Sequence, residues 1–158
     1  IEMNIRHSLA ELKDLPAMQS LYVNCIKSTC NGDYSPAEMK AWISGIENRE
    51  RWQKLVEEQW VLLLWHEEEL MGFTSLKSPN YIDFMYVSAK FQGRGIAKLL
   101  LNTLQAKAKE KDVIKLESDI SITARPFFER QGFKVVRKNL NPKDGEVLIN
   151  FRMEKYLN

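Results

Sequence analysis

The chain has 158 residues, the size of a single domain, and its 44% apolar and 28% charged residues are typical of a globular protein. Its 23 Lys and Arg against 21 Asp and Glu give a formal charge of +2, which argues against a basic protein that coats nucleic acid. The longest apolar run, residues 60–65, is far shorter than the ~20 residues that span a membrane. We therefore expect neither nucleic acid nor a membrane as a partner.

The chain ends and the cysteines predict where the protein is found. No apolar signal-peptide core is present, and we interpret residues 3–156 as one domain that starts at Met3, with residues 1–2 as an added remnant. On a continuous helix the Cα atoms of Cys25 and Cys30 lie roughly 8–9 Å apart, too far for an unstrained disulfide, so the two could pair only if the helix ended between them. We therefore expect reduced thiols and a cytoplasmic location. The chain has only two histidines, and no Cys/His cluster has metal-ligand spacing, so we expect no metal site.

The first third of the chain predicts one strand followed by helices. Residues 4–7 form the strand, and a helix begins near Pro16, with apolar residues recurring every three or four positions until Asn31. Residues 35–38 are Ser-Pro-Ala-Glu, a capping box that opens a second helix. The charged stretch 47–58 is predicted to be helical.

The rest of the chain predicts a sheet interrupted by two helices. Strands at 60–65, 70–76 and 81–87 are separated by short polar turns, which indicates an antiparallel meander. A helix follows the glycines at 93 and 95, and then come a strand, a short helix ended by Gly132, and two strands, at residues 113–118, 123–131, 134–140 and 146–153, with a turn at 141–145. The predicted fold class is α+β, a mixed, mostly antiparallel sheet with helices on both faces.

The segment Gln92-Gly93-Arg94-Gly95-Ile96-Ala97 lies between a strand and the start of a helix, where unpaired N–H groups and a partial positive charge bind phosphate. The glycines let an anion approach the backbone, and the arginine adds a contact. A P-loop would need Gly-Lys-Ser/Thr, which is absent. A dinucleotide-binding fingerprint would need a glycine where Lys98 stands and parallel βαβ units, which the meander contradicts.

Two motifs resemble one family. Residues 92–97 resemble the Q/R-x-x-G-x-G/A motif of the GNAT (Gcn5-related) N-acetyltransferase superfamily, and residues 124–133, Ala-Arg-Pro-Phe-Phe-Glu-Arg-Gln-Gly-Phe, resemble its A-x-x-x-Y-E-x-x-G-F helix. The order of elements matches from about Met3 to Tyr156. Tyr81-Ile82-Asp83 and residues 121–130 are also similar to the YafP-type bacterial branch of this superfamily.

The resemblance implies a splayed parallel pair, strands 81–87 and 113–118, with acetyl-CoA as co-substrate between them. It implies that the pyrophosphate binds the N–H groups of residues 92–97, that the pantetheine arm lies along residues 85–87, and that a nearby amide polarises the acetyl carbonyl. The cofactor-binding residues implied are Met85, Tyr86, Val87, Gln92, Gly93, Arg94, Gly95, Ile96, Ala97, Ser121 and Phe128.

The sequence departs from the family pattern at the general acid. Many members have tyrosine where this chain has Phe128, and an asparagine where it has Ser121. Phenylalanine cannot donate a proton, so Tyr81, Tyr86 or water would have to protonate the leaving thiolate.

A carboxylate within an apolar strand makes Asp83 the first candidate for the general base. Strand alternation predicts that it shares one face with Tyr81, Met85 and Val87. Asp119, just after the next strand, is the second candidate. Either carboxylate could instead be structural, paired with an arginine.

The acceptor site in this family lies between the first helices and the final strands, where Tyr34, Trp42 and Trp52 could line it, although aromatic residues at helical spacing are more often core. The predicted function is transfer of an acetyl group from acetyl-CoA to a primary amine, by direct attack in a ternary complex. The acceptor is a small-molecule or peptide amine. The sequence leaves open whether the protein forms a homodimer. The alternatives are a non-catalytic acyl-CoA-binding sensor, suggested by the missing tyrosine, and a nucleotide-binding oxidoreductase, which the meander disfavours.

Overall fold

The computed structural model describes residues 4–158 as a seven-stranded sheet with helices on both faces. The strands are β1 (Arg6–Leu9), β2 (Trp60–His66), β3 (Glu69–Lys77), β4 (Tyr81–Val87), β5 (Lys115–Ser121), β6 (Lys134–Lys143) and β7 (Glu146–Tyr156). The helices are α1 (Leu15–Thr29), α2 (Pro36–Ile43), α3 (Arg49–Glu58), α4 (Ile96–Glu110) and α5 (Arg125–Arg130), with 3-10 turns at Leu12–Asp14, Ser44–Glu47 and Ala89–Phe91. The predicted added remnant lies outside the described residues.

The strand order is β1-β2-β3-β4-β5-β7-β6. Strands β2, β3 and β4 form the predicted antiparallel meander, and only β4 and β5 run parallel. Their pairing is limited to Tyr81 with Glu117 and Ile82 with Ser118, so the two strands separate after one short contact. The predicted fold class, including the splayed parallel pair, is confirmed.

Two faces of the sheet are covered by different helices. On one face, α1 and α3 bury Met18, Ile26, Trp52 and Leu55 against β2, β3 and β4. On the other face, α4 and α5 pack against the sheet in two clusters, because the apolar residues of α4 recur every three or four positions along one side. In the part of the chain that the structure describes, no helix is long and apolar enough to cross a membrane.

Close packing of α4 on β3 requires Gly72. A Cβ atom at this position would lie 2.9 Å from the carbonyl oxygen of Tyr86 and 3.1 Å from the side chain of Leu100. The glycine therefore sets the distance between the sheet and α4.

The turn between β6 and β7 is shorter than predicted. It consists of Asp144 and Gly145, with φ of 50° and 79°, and β6 extends through Lys143. Asp-Gly is a favoured pair for a two-residue hairpin, and Pro142 is tolerated because β6 is an edge strand. The prediction of a turn over residues 141–145 was therefore too long.

Candidate active site

The separation of β4 from β5 opens the main cavity of the molecule, with a volume of about 800 Å³. At the point of separation the Ser118 hydroxyl donates a hydrogen bond of 2.7 Å to the carbonyl of Ile82. Beyond this point β4 pairs only with β3, and β5 pairs only with β7. One edge of β4 from Asp83 to Val87 therefore has no strand partner and is available to an extended ligand.

A β-bulge at Asp83 changes the direction of the side chains in β4. Phe84 is opposite Ser75 and Ile82 is opposite Leu76, so Asp83 has no partner in β3. The bulge is held by β3, because the Thr74 hydroxyl donates to the Phe84 carbonyl at 2.7 Å and the Ser75 hydroxyl accepts from the Phe84 N–H at 3.1 Å. Both hydroxyl side chains are fully buried.

The bulge overturns the prediction that Asp83, Met85 and Val87 share a face. Asp83 contacts Arg51 in the first turn of α3 and Gln59 just after its last turn, and Tyr86 packs in the cluster of α1 and α3. Met85 and Val87 pack against the clusters on the α4 face. Alternation fails because a bulge inserts one extra residue into a strand.

The glycine loop leads directly into α4. Gly93 and Gly95 have φ of 73° and 78°, a left-handed conformation that glycine adopts without strain. The Leu99 N–H bonds to the carbonyl of Gly95, so the N–H groups of residues 96–98 precede the hydrogen-bonded part of the helix. A Cβ atom on either glycine would meet nothing within 4 Å. This open space beside unpaired donors suits a diphosphate.

The neighbouring side chains of the loop have different environments. The Gln92 amide donates to the Val87 carbonyl at 3.0 Å and ties the loop to the end of β4. The Arg94 guanidinium lies 5.7 Å from the centre of the Phe91 ring and is not part of the cavity wall, whereas Lys98 is.

One cavity brings together almost all of the predicted site residues. Its wall includes Tyr34, Trp42, Trp52, Asp83, Met85, Tyr86, Val87, Gln92, Gly93, Gly95, Ile96, Ala97, Asp119, Ser121 and Phe128. Their individual roles stay predictions.

Asp83 is bound to Arg51 by two hydrogen bonds of 3.0 and 2.8 Å, and the Gln59 amide donates a third at 2.7 Å. Its side chain is 7% exposed, against 44% for Arg51. Burial alone would raise the pKa of Asp83, but the hydrogen bonds of Arg51 and Gln59 and the charge of Arg51 hold that pKa below its usual value. Asp83 is therefore a carboxylate at neutral pH.

Asp119 accepts four hydrogen bonds of 2.7–2.9 Å: two from Arg152, one from the Tyr81 hydroxyl and one from the Asn139 amide. Burial opposes ionisation of this carboxyl, but Arg152 and Tyr81 outweigh it and lower the pKa of Asp119. A carboxylate has about four acceptor positions, all filled here, whereas Asp83 retains one on Oδ1.

Phe128 is 2% exposed and packs edge to face against Phe127 and Phe133, with ring centres 5.3 and 5.1 Å away. The Ser121 hydroxyl accepts from the N–H of Ala124 at 3.1 Å, at the start of α5. Phe128 therefore has no proton to give, and the Ser121 hydroxyl is held at the start of α5.

The candidate acids Tyr81 and Tyr86 both hold their protons. Burial raises the pKa of each, and the hydrogen bond to Asp119 raises that of Tyr81 further. Both hydroxyls are therefore protonated at neutral pH, and that of Tyr81 already donates its proton to Asp119.

Tyr34 connects the residue that follows β5 to β7. Its hydroxyl accepts from the Ile122 N–H at 3.0 Å and donates to the carbonyl of Ile149. Burial raises its pKa to about 12. Trp42 packs on the Tyr34 ring with centres 5.2 Å apart, so the two aromatic residues form one wall.

Sequence reasoning missed many wall residues, and Tyr22, Arg51 and Lys143 are the ones that bear on the chemistry. Tyr22 has the spacing of a core residue in α1. Arg51 is one of several charged residues in α3, and no local pattern separates it from Arg49. Lys143 reaches the cavity only because β6 extends as far as the two-residue turn.

Comparison with known proteins gives one consistent result. The family profile described as "Acetyltransferase (GNAT) domain" matches residues 30–155. The chain is 33% identical over 141 residues to the uncharacterized N-acetyltransferase YafP of Escherichia coli K12, covering 89% of this chain and 88% of that protein. A GCN5-related N-acetyltransferase from Rhodopseudomonas palustris is 26% identical with a TM-score of 0.93, and 99% of each chain is covered. PaiA N-acetyltransferase from Thermoplasma acidophilum, solved with coenzyme A, is 22% identical with a TM-score of 0.81, covering 98% of this chain and 100% of that one.

Proposed function

The chain belongs to the GNAT family of acetyltransferases, and we propose that it transfers the acetyl group of acetyl-CoA to a primary amine by direct attack in a ternary complex. The similarity to YafP confirms the predicted branch. The observation that carries the proposal is the separation of β4 from β5, which joins an unpaired strand edge to the N-terminus of α4 within one cavity. Apart from Phe128 in place of the tyrosine, no feature of residues 4–158 favours the non-catalytic alternative.

The cavity fits acetyl-CoA in three respects. Its volume of about 800 Å³ lies within the ~300–1,000 Å³ usual for ligand sites. The N–H groups of residues 96–98 suit the diphosphate, with Lys98 and Arg130 in the wall as further cations. The free edge of β4 suits the amide groups of the pantetheine arm.

In the reaction, the amine nitrogen attacks the acetyl carbonyl carbon, the carbon–sulfur bond breaks, and CoA leaves as a thiolate that takes a proton. An amine with a pKa of ~10.4 costs roughly 4–5 kcal/mol to deprotonate at pH 7, whereas a thiolate with a pKa of ~8.5 needs only about 2 kcal/mol. Removing the amine proton is thus the larger task for the protein.

Asp83 is our candidate for this task. The open acceptor position on its Oδ1 supports a hydrogen bond to the acceptor amine, whereas the four hydrogen bonds of Asp119 favour a structural role. A lowered pKa makes Asp83 a weak base, but the nitrogen becomes more acidic as its bond to carbon forms. An ammonium nitrogen has no lone pair, so its first proton leaves before attack, through Asp83 to solvent. After attack the carboxylate accepts the second proton from the nitrogen, which is balanced by the proton that the thiolate takes up.

Phe128 acts by packing in this proposal. Its ring, held between Phe127 and Phe133, shapes the cofactor end of the cavity. Tyr86, Tyr81 or water supplies the proton for the thiolate, the easier of the two transfers.

A cytoplasmic location and a homodimer remain predictions. The first is supported by Cys25 and Cys30, which are free thiols.

Binding of acetyl-CoA tests the proposed cofactor site between β4 and β5. At 100 times its dissociation constant the cofactor adds about 2.7 kcal/mol to stability, which appears as a higher melting temperature, whereas NADH gives no shift. Gly95→Glu should abolish the shift, because it places a negative charge at the diphosphate position. Gly145→Glu is the matched control, since Gly145 has φ of 79° and equal open space but lies outside the glycine loop. Equal shifts with NADH, or a shift that survives in Gly95→Glu, contradict the proposal.

A further inference from the structure

One part of the cavity wall comes from elements other than β4 and the glycine loop. It is formed by Gly45, Asn48 and Arg51 around the start of α3 and by Lys143 at the end of β6, all in the cavity wall. We call these four residues the acceptor end. If the cofactor diphosphate occupies the α4 end, the amine has to enter here.

Lys143 is directed toward this end by a docked turn. The Ser44 hydroxyl donates to the Asp144 carboxylate at 3.0 Å, which holds the β6–β7 turn against the Ser44–Glu47 segment. A carbon atom added to Gly45 would lie 3.9 Å from the Lys143 ammonium and 3.4 Å from the Tyr22 hydroxyl. The ammonium and the tyrosine therefore border the same small space.

The charges around the cavity do not balance. Asp83 and Asp119 are the carboxylates of its wall, and each is paired with an arginine, Arg51 and Arg152. Among residues 4–158, no carboxylate oxygen lies within 4.0 Å of the Lys143 ammonium. Lys143 is exposed, so the acceptor end carries one solvent-accessible ammonium with no carboxylate at ion-pair distance among the described residues.

We propose that the acceptor is an amine that also carries a carboxylate, and that this carboxylate binds Lys143. The inference rests on the proposed acetyl transfer. One unbalanced ammonium matches the single charge of a carboxylate better than the double charge of a phosphate. The Asn48 oxygen caps α3 by accepting from the Arg51 N–H at 3.1 Å, which leaves the Asn48 NH₂ as a second donor. A polyamine is disfavoured, because Lys143 repels a second cation and the one free carboxylate position, on Asp83 Oδ1, is taken by the reacting amine.

The test compares free amino acids with their primary amides as acceptors. Spermidine, a polycation, is included and should be a poor acceptor. For each enzyme form, the ratio of kcat/KM for acid and amide is measured, so that differences in amine basicity cancel between forms. Lys143→Met should lower this ratio roughly ten-fold, as expected for loss of about 1.4 kcal/mol, and Lys143→Glu should lower it further. Lys138→Met, an exposed position on the same strand, is the control with an unchanged ratio.

A second measurement does not depend on turnover. In the presence of CoA, N-acetyl amino acids should bind wild type more tightly than their amides do, and Lys143→Met should remove the difference. Acetylation of amines with no preference for the acid, or a preference unchanged by Lys143→Met, overturns the inference while the acetyltransferase function stands. Acetyl-CoA binding without acetylation of any amine overturns the proposed function, and the binding comparison still decides the role of Lys143.

Discussion

Replacing Arg51 by methionine tests whether an ion pair controls Asp83. The change removes two hydrogen bonds to a carboxylate whose side chain is 7% exposed, and it leaves the bond from Gln59. Breaking a fully buried ion pair costs about 3–5 kcal/mol. Because Arg51 is 44% exposed and Gln59 remains, we expect about 2 kcal/mol at pH 7, or roughly 4–8 °C in melting temperature for a chain of this size.

The pH dependence gives this prediction its sign. In the wild type the pKa of Asp83 is lowered, so its pairing stabilises the fold above the pKa of the unfolded state and is lost as pH falls through the folded value. In Arg51→Met only the Gln59 amide still donates to Asp83. Burial then raises the pKa of Asp83 above its wild-type value, so the charged form destabilises the fold at neutral pH. The cost of the substitution should therefore be largest at pH 7 and smaller at about pH 4, where the raised pKa lets Asp83 of the variant take up a proton while wild-type Asp83, with its lowered pKa, stays charged.

Urea unfolding of the variant and the wild type at both pH values measures this effect. Arg49→Met, an exposed position on the same helix, is the control and should be nearly neutral. The double variant Arg51→Met/Asp83→Asn should be more stable at pH 7 than Arg51→Met alone, because it removes the unpaired charge. A cost that is the same at both pH values, or a double variant that is no more stable, would refute the reasoning.

Three further variants test the packing and the chemistry. Gly72→Ala should cost about 1–3 kcal/mol in urea unfolding, because its Cβ would meet the Tyr86 carbonyl at 2.9 Å, while Gly32→Ala, with nothing within 4 Å, should be tolerated. Phe128→Leu should lower the melting temperature and acetyl-CoA affinity together; unchanged values with lost turnover would instead indicate a chemical role. Asp83→Asn should lower kcat about 10²–10⁴-fold with acetyl-CoA binding intact, and the loss should shrink at high pH, where the free amine forms unaided. Normal turnover in Asp83→Asn, with a crippled Asp119→Asn, would reverse the assignment of the base.

Features coded by neighbouring residues were predictable from the sequence. The strands of the meander show their own hydrophobic patterns, and the glycines at 93 and 95 mark a helix start that they occupy with positive φ. A turn between the last two strands was also predicted, although the predicted turn was longer than the observed Asp-Gly turn.

Features set by contacts between distant residues were not predictable. The bulge at Asp83 depends on Thr74 and Ser75 in the neighbouring strand, and no pattern within β4 reveals it. The pairing of Asp83 with Arg51 spans 32 residues and requires α3 to pack over β4. A carboxylate in an apolar strand signalled that a partner was needed, but only the fold identifies which one.

Transfer itself is the most direct test of the account. Purified protein, acetyl-CoA and a panel of amines are followed for free CoA thiol and, by mass spectrometry, for the acetylated amine. We predict that thiol and acetylated amine appear in a one-to-one ratio, and that initial rates with both substrates varied give intersecting lines, as a ternary complex requires. Parallel lines would contradict direct attack, because they indicate an acetyl-enzyme intermediate. Tight binding of acetyl-CoA, with no acetylated product and no amine-dependent release of thiol from any acceptor, would contradict the function itself.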